Sequence, residues 1–521
     1  MPTRNFPQNV PQAQAACSLL LKQSYTEAEN SCSTKLLVAI NALMSRQKFV
    51  SLLKKVGLIE RKRKIDPALL VCAMLLTAAC PKISDGTVNG YDVEAIAGHY
   101  NELARNRGLE EVADTAVEYH IKKPAFTELM QLCFEHMTKQ AIDLHLESEE
   151  MLSILEQVSN ACGRNIFDII AYDGSYFRCH SSLNRYFPAS RTAHKEGSLA
   201  VAQIGLQAGY SLRHSLFASI DITGGNAYEP DYVHFVPNTI SLCDAAFTSY
   251  AQFEEAELNG AFQVSKGKTN MAAKIVKVTI DGREVKNTQG KKPKDYLRYD
   301  VSQRIELVVE AICGTSLITN SEGVVVDKIK RTIKLRAIRI KDPEKGSTWV
   351  MTNLPEAISS EAVLTLMRLR WVIERAFLNL KSHNNLRSAL TKSRYLAKSM
   401  VWASLITALI KSFTIRCAEI IYNRELSTRK CNKQDQYSVE LGNWSSKVIT
   451  LAFNRALPGV SFKGVLQLLG KSKRNGISKP SVKNQKRSTK HHLDELQLAL
   501  GCMSGNGGLL ALSYKPMLKA L

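Results

Sequence analysis

The chain has 521 residues, 45% hydrophobic and 22% charged, with 69 Lys+Arg against 48 Asp+Glu for a formal net charge of +21. That length holds roughly two to four domains, and the apolar share excludes a chain too polar to build a core. The charge exceeds what solubility needs and favours a polyanionic partner, nucleic acid first. The 12 cysteines contain no Cys-x2-Cys pair, which excludes the usual zinc modules, and Cys72, Cys80 and Cys243 sit in apolar runs as buried thiols do. The start, Met1-Pro-Thr-Arg-Asn-Phe-Pro, lacks the pattern of a secretory signal, so a cytoplasmic location is expected. No membrane span is expected either, because Lys411 interrupts the apolar segment Ser399 to Tyr422.

From Thr34 to about Ser159 the apolar spacing predicts helices, over Leu36 to Leu43, Pro67 to Leu76 and Ala125 to Leu146. Basic residues cluster at Lys54-Lys55, at Arg61-Lys-Arg-Lys64 and at Lys122-Lys123 before Pro124, where a helical DNA-binding unit would want them. The pattern then changes to strands: Ile166 to Tyr172, Leu199 to Leu206, Ser215 to Ile222, Thr239 to Cys243 and Ala261 to Val264, with a helix over Tyr250 to Leu258. This mixture predicts an α/β layer domain. From Lys266 to Lys341 a Val/Ile/Thr-rich stretch punctuated at Asp281-Gly, Gly290, Gly314 and Gly323 predicts an antiparallel insertion. Trp349 to Pro355 returns to the core as strand and turn. A basic tract, 471–492, contains no acidic residue and suits either a solvated tail or sequence-independent phosphate binding.

The stretch Met367-Arg-Leu-Arg370-Trp371-Val-Ile-Glu374-Arg-Ala-Phe377-Leu-Asn-Leu-Lys381 reads as one helix. At about 100° per residue, positions 367, 370, 374 and 381 fall on one face, beside an apolar stripe of Leu366, Leu369, Ile373, Phe377 and Leu380. Two more carboxylates lie where a sheet gathers side chains: Asp173 ends the first strand and Asp244 ends Ile240-Ser-Leu-Cys. Three clustered carboxylates suit divalent metal ions, which can activate water or a 3′-hydroxyl and stabilise a leaving oxygen. Each residue also has an ordinary reading. Asp173 before Gly-Ser suits a turn, Asp244 suits an N-cap, and Arg370, Glu374 and Lys381 suit a solvated ladder of ion pairs. Asp168 is offset from Asp173 by an odd number and faces the other side of its strand. His180, His194, His214, His234 and His383 show no paired ligand spacing, and no Walker-type loop is present.

Taken in order, these motifs resemble bacterial insertion-sequence transposases of the DDE class, in the family marked by Tyr-x2-Arg-x3-Glu-x6-Lys and by a β insertion between the second Asp and the Glu. Met367, Arg370, Glu374 and Lys381 stand at the signature positions, three of them matching. Asp173, in Tyr-Asp-Gly-Ser, matches the first Asp and Asp244 the second, while Thr352-Asn353-Leu354-Pro355 resembles the strand and turn before the helix. The resemblance runs from Ile166 to Arg387. It implies a ribonuclease-H-like mixed sheet over 161–265 and 348–395, a β-rich insertion over 266–347, a helical DNA-binding domain over 1–160 and a helical region over 396–521. It implies Mg²⁺, with Mn²⁺ substituting, on Asp173, Asp244 and Glu374, and phosphates on Arg370 and Lys381. Trp371 would stack on an unpaired base or, in the ordinary reading, sit buried in its helix. The implied partners are double-stranded DNA at element ends and target, bound by a homodimer in the bacterial nucleoid. Two departures stand out: Met367 replaces a Tyr that donates a hydrogen bond, and Asp244-Ala-Ala-Phe lacks the Arg-Gly pair. A catalytically silent DNA-binding relative that regulates transposition, or a metal-dependent nuclease, shares the same residues.

Overall fold

The computed structural model describes residues 43–58, 65–79, 83–84, 87–88, 92–105, 108–145, 147, 149–190, 202–267, 272–286, 291–297, 304–319, 325–342, 346–386, 388–389, 391–428, 493, 496–497 and 500. The expected helix over Leu36 to Leu43 is described only at Leu43, and the basic cluster 61–64, His194 and the tract 471–492 lie outside these residues. The helices are α1 (Arg46–Lys55), α2 (Pro67–Ala79), α3 (Val93–Arg105), α4 (Asp114–Ile121), α5 (Pro124–Asp143), α6 (Glu149–Cys162), α7 (Tyr250–Leu258), α8 (Pro293–Leu297), α9 (Ser360–Leu369), α10 (Trp371–His383) and α11 (Arg394–Thr428). The strands are β1 (Ile83–Ser84), β2 (Thr87–Val88), β3 (Asp168–Cys179), β4 (Gln203–Ser211), β5 (Leu216–Gly224), β6 (Thr239–Cys243), β7 (Phe262–Lys266), β8 (Lys274–Ile280), β9 (Arg283–Glu284), β10 (Ile305–Thr319), β11 (Val325–Asp342), β12 (Gly346–Thr352) and β13 (Ser388–Ala389). The fold is α/β, and its strand pairing is mixed.

The chain divides into two compact units, the first drawing on segments 1–148, 169–234 and 370–480, the second on 149–168, 235–369 and 481–521. In the first unit, α2 is apolar on every face and is buried from Leu69 to Ala79, as a helix surrounded by others must be. Its start is fixed by Asp66, whose Oδ1 accepts the Ala68 N–H at 2.7 Å, with Pro67 at the first helical position. Helix α11 runs against α2 and α5: Thr127 Oγ1 donates to the Tyr395 carbonyl at 2.9 Å, Thr407 Oγ1 to the Leu75 carbonyl at 3.4 Å, and the Phe134 and Trp402 rings lie 5.4 Å apart. Its segment Arg394–Phe413 is long and apolar enough to cross a membrane, yet 83% of that window is buried inside the fold, as in a core helix. Buried Lys411, the residue that breaks the apolar run, donates to Asn384 Oδ1 at 2.9 Å. Strands β3, β4 and β5 form an antiparallel meander, and β13 pairs with β3 in parallel. Helix α10 packs Ile373, Phe377 and Leu380 inward, with Phe377 5.7 Å from Phe217 of β5.

The second unit is dominated by the expected insertion. Strands β9, β8, β10, β11, β12 and β7 pair antiparallel in that order, and β6 adds to β7 in parallel. Alternate residues Leu307, Val309 and Ala311 of β10 and Ile333, Leu335 and Ala337 of β11 face one core with Phe253, Val278, Trp349 and Met351. The Thr352-Asn353-Leu354 segment ties two strands together. Thr352 Oγ1 donates to the Gln263 carbonyl at 2.8 Å, and Asn353 Oδ1 accepts the Gln263 N–H at 2.8 Å.

Several expectations need correction. The first strand does not end at Asp173; β3 runs on to Cys179 because β4 pairs with it from Ile170↔Ser211 to Arg178↔Gln203. The expected strand over Leu199 to Leu206 is shifted, with β4 spanning Gln203–Ser211. The helix through Met367 and Lys381 is two helices, α9 and α10, separated at Arg370. Met367 belongs to the first of them, and Glu374 and Lys381 to the second. The amino-terminal helices also enclose the two-residue ladder of β1 and β2.

Candidate active site

Asp173 sits mid-strand in β3, opposite Ala208 of β4, where the pleat fixes its direction more tightly than a turn would. Its Oδ1 accepts the Gly174 N–H at 2.9 Å and its Oδ2 accepts from Arg370 Nη1 at 3.2 Å. Arg370, immediately before α10, donates through Nη2 to Glu374 Oε1 at 2.5 Å, so one guanidinium bridges two carboxylates from distant parts of the sequence. The three side chains are 12%, 21% and 29% exposed for Arg370, Asp173 and Glu374, which makes this a partly desolvated cluster rather than a solvated surface ladder.

The electrostatics of Asp173 are those of a charge kept at a cost. Burial pushes its carboxyl up to about 6, against the pull of Arg370 and the Gly174 N–H, with Glu374 and Glu229 adding further upward pressure. Glu229 comes from a short 3-10 turn, Glu229–Tyr232, and its Oε1 accepts the Tyr176 hydroxyl at 2.7 Å. Burial, followed by Glu229, pushes the Tyr176 phenol up to about 12. The same neighbours explain Gly174. A Cβ there would fall 2.6 Å from Gln207 Oε1 and 2.7 Å from Glu229 Oε1, so the glycine makes room and does not make a turn.

Lys381 lies on α10, its Nζ 5.3 Å from the centre of the Phe177 ring. Burial lowers its pKa and the Asp173 charge draws it back up. Trp371, the first residue of α10, is 46% exposed and is not a buried helix aromatic. Asp244 lies in the second unit, directly after β6. It caps a 3-10 turn, Ala245–Phe247, accepting the Ala245 N–H at 2.7 Å, while Ser249 caps α7. Thus the first unit gathers Asp173, Arg370, Glu374 and the charge of Lys381, and adds Glu229, Tyr176 and Gln207. No periodicity singles out Glu229, which belongs to a short irregular turn.

Among the described residues no group of three His, Cys, Asp or Glu stands close enough to hold a metal ion. The donor chemistry of Asp173 and Glu374 nevertheless fits Mg²⁺: both offer hard carboxylate oxygens, both already turn toward a cation, and Asp173 is short of positive charge. The histidines do other work. His214 stands beside buried Glu147 and Arg213, and burial pushes it down to about 4. His234 pairs with Asp221 at 3.3 Å on the surface.

No curated protein matches the chain. Residues 165–410 match the family model described as the transposase DDE domain, a segment that contains Asp173, Asp244, Arg370, Glu374 and Lys381, and this match supports a DDE transposase.

Proposed function

We propose that the protein is a DNA transposase that cuts at the ends of an insertion element and joins the freed 3′ ends to target DNA. The observation that carries this reading is the pair Asp173 and Glu374 bridged by Arg370 inside a segment that matches the transposase DDE domain. Asp173, Asp244 and Glu374 would hold Mg²⁺, or Mn²⁺ in its place, which supplies the Lewis acidity for activating the attacking oxygen and stabilising the leaving one. Arg370, whose guanidinium already lies between the two carboxylates, and Lys381 would hold phosphate oxygens beside the scissile bond. Exposed Trp371 is available to stack on a base displaced from the duplex.

Around this chemistry we infer a ribonuclease-H-like core over 161–265 and 348–395, interrupted by the insertion 266–347. The helices of 1–160 would bind DNA, the helical region 396–521 would follow, and a homodimer would hold paired ends in the nucleoid. The net charge of +21 supports a DNA partner.

The test is a strand-transfer assay with purified protein, Mg²⁺ and labelled DNA from both flanks of its own gene, run beside Glu374→Gln. Joined products from the wild type alone are expected. Cutting without joining would replace the reading by that of a nuclease, and binding without cutting by that of a silent regulator.

A further inference from the structure

Away from Asp173, the first unit carries a second assembly of charged and aromatic groups. The loop after β3 and the start of α11 are held together by the β13 pairing, Ser388↔Arg178 and Ala389↔Cys179, and by the His180 N–H donating to the Ala389 carbonyl at 3.3 Å. On this joined surface the guanidinium carbons of Arg185 and Arg394 each stand 4.5 Å from the centre of the Tyr186 ring. Arg394 also stacks on Tyr395 at 4.6 Å and donates through Nη2 to its hydroxyl at 2.5 Å. Neither arginine has a carboxylate partner among the described residues. Segments 176–190 and 388–399 contain Arg178, Arg185, Lys392, Arg394 and Lys398 and no acidic residue. Arg178, Arg185, Tyr186 and Lys392 are exposed.

A guanidinium laid over an aromatic ring keeps its N–H edge free for a planar anion, and being held already it loses little freedom on binding. Two such groups sharing one ring, with no acidic residue in either segment, form a preorganised receptor for phosphate oxygens. Structural arginines in this protein look different: Arg336 and Arg213 are paired with carboxylates, Glu306 and Glu147. We propose that Arg185 and Arg394, positioned by Tyr186, grip the phosphate backbone of bound duplex DNA. This rests on the reading of the chain as a protein that acts on DNA. The contact is sequence-independent and separate from the Asp173 cluster, so it contributes to binding with or without metal.

The experiment is fluorescence anisotropy with a short labelled duplex of arbitrary sequence, in EDTA, over a series of salt concentrations. Replacing both Arg185 and Arg394 by Ala should weaken binding about tenfold or more and lower the slope of log affinity against log salt by about two. Tyr186→Ala should weaken binding by loosening both guanidiniums, while Tyr186→Phe, which keeps the ring, should bind as the wild type does. A double Lys variant guards against misfolding: it should keep most of the salt slope but bind more weakly, because the planar fork is lost. Wild-type affinity and slope in the folded Ala variant would overturn the proposal while leaving the transposase reading intact. Failure of the wild type to bind any duplex would overturn both.

Discussion

Two arginine–carboxylate assemblies in this protein are built from the same residue types and behave oppositely. In the second unit, Arg336 donates to Glu306 Oε1 at 2.8 Å and to the carbonyls of Pro355 and Ile358 at 2.8 and 2.9 Å, while the Ser360 hydroxyl donates to the other Glu306 oxygen. Burial alone would raise the Glu306 pKa, but Arg336 and Ser360 outweigh it and hold the carboxyl below its usual range. In the first unit one guanidinium is divided between Asp173 and Glu374, a third carboxylate stands near, and Asp173 is pushed up to about 6. The lesson is in the count of donors per charge. A buried carboxylate with its oxygens filled stabilises its surroundings; one that shares a cation with a like charge is left ready for another.

The largest expected difference between the two is in chemistry. Glu374→Gln should lower strand joining by about a thousandfold or more, whereas substitutions at Glu306 should lower it only as far as they unfold the protein. Next comes stability. Arg336→Ala leaves half-buried Glu306 without its main partner and strips a donor from two carbonyls, so a loss of about 2–4 kcal/mol is expected in denaturant unfolding. Asp173→Asn should do the reverse in metal-free protein, raising stability by about 1–3 kcal/mol, since it removes a charge that burial disfavours. If Asp173→Asn instead destabilises as strongly as Arg336→Ala, the contrast between the two assemblies fails. The smallest effect on folding is expected at Gly174. In Gly174→Ala the new methyl meets side-chain ends only, those of buried Gln207 and of Glu229, so thermal unfolding should shift by about 1 kcal/mol while joining falls about tenfold as those groups are displaced toward Asp173.

Much of this contrast was legible in the amino-acid sequence, and the remainder was not for identifiable reasons. Arg370 and Glu374 are four apart, and that spacing alone brings them together. The insertion announced itself through Val/Ile-rich runs such as Ile305-Glu-Leu-Val-Val, whose alternate members fill its core. Asp173-Gly174-Ser175 misled because glycine inside a strand looks like punctuation. The reason for it lies in Gln207 and Glu229, tens of residues away, whose approach no local pattern records. The helix break at Arg370 likewise interrupts an apolar stripe that continues with unchanged spacing on both sides. Lys411 was readable as a charge within an apolar run; its partner Asn384 was not.

The contrast is tested most directly by the pH dependence of unfolding for wild type and Asp173→Asn, both in EDTA. Because the folded Asp173 pKa is raised from 3.8 to about 6, the folded state binds the extra proton between those values, and ionising the residue costs stability as pH rises. The account predicts that Asp173→Asn exceeds the wild type by its full margin above about pH 6, and that the margin closes as pH falls toward about 4. A margin that stays constant across this window, or that widens as the pH falls, would contradict the claim that Asp173 is held ionised against its surroundings.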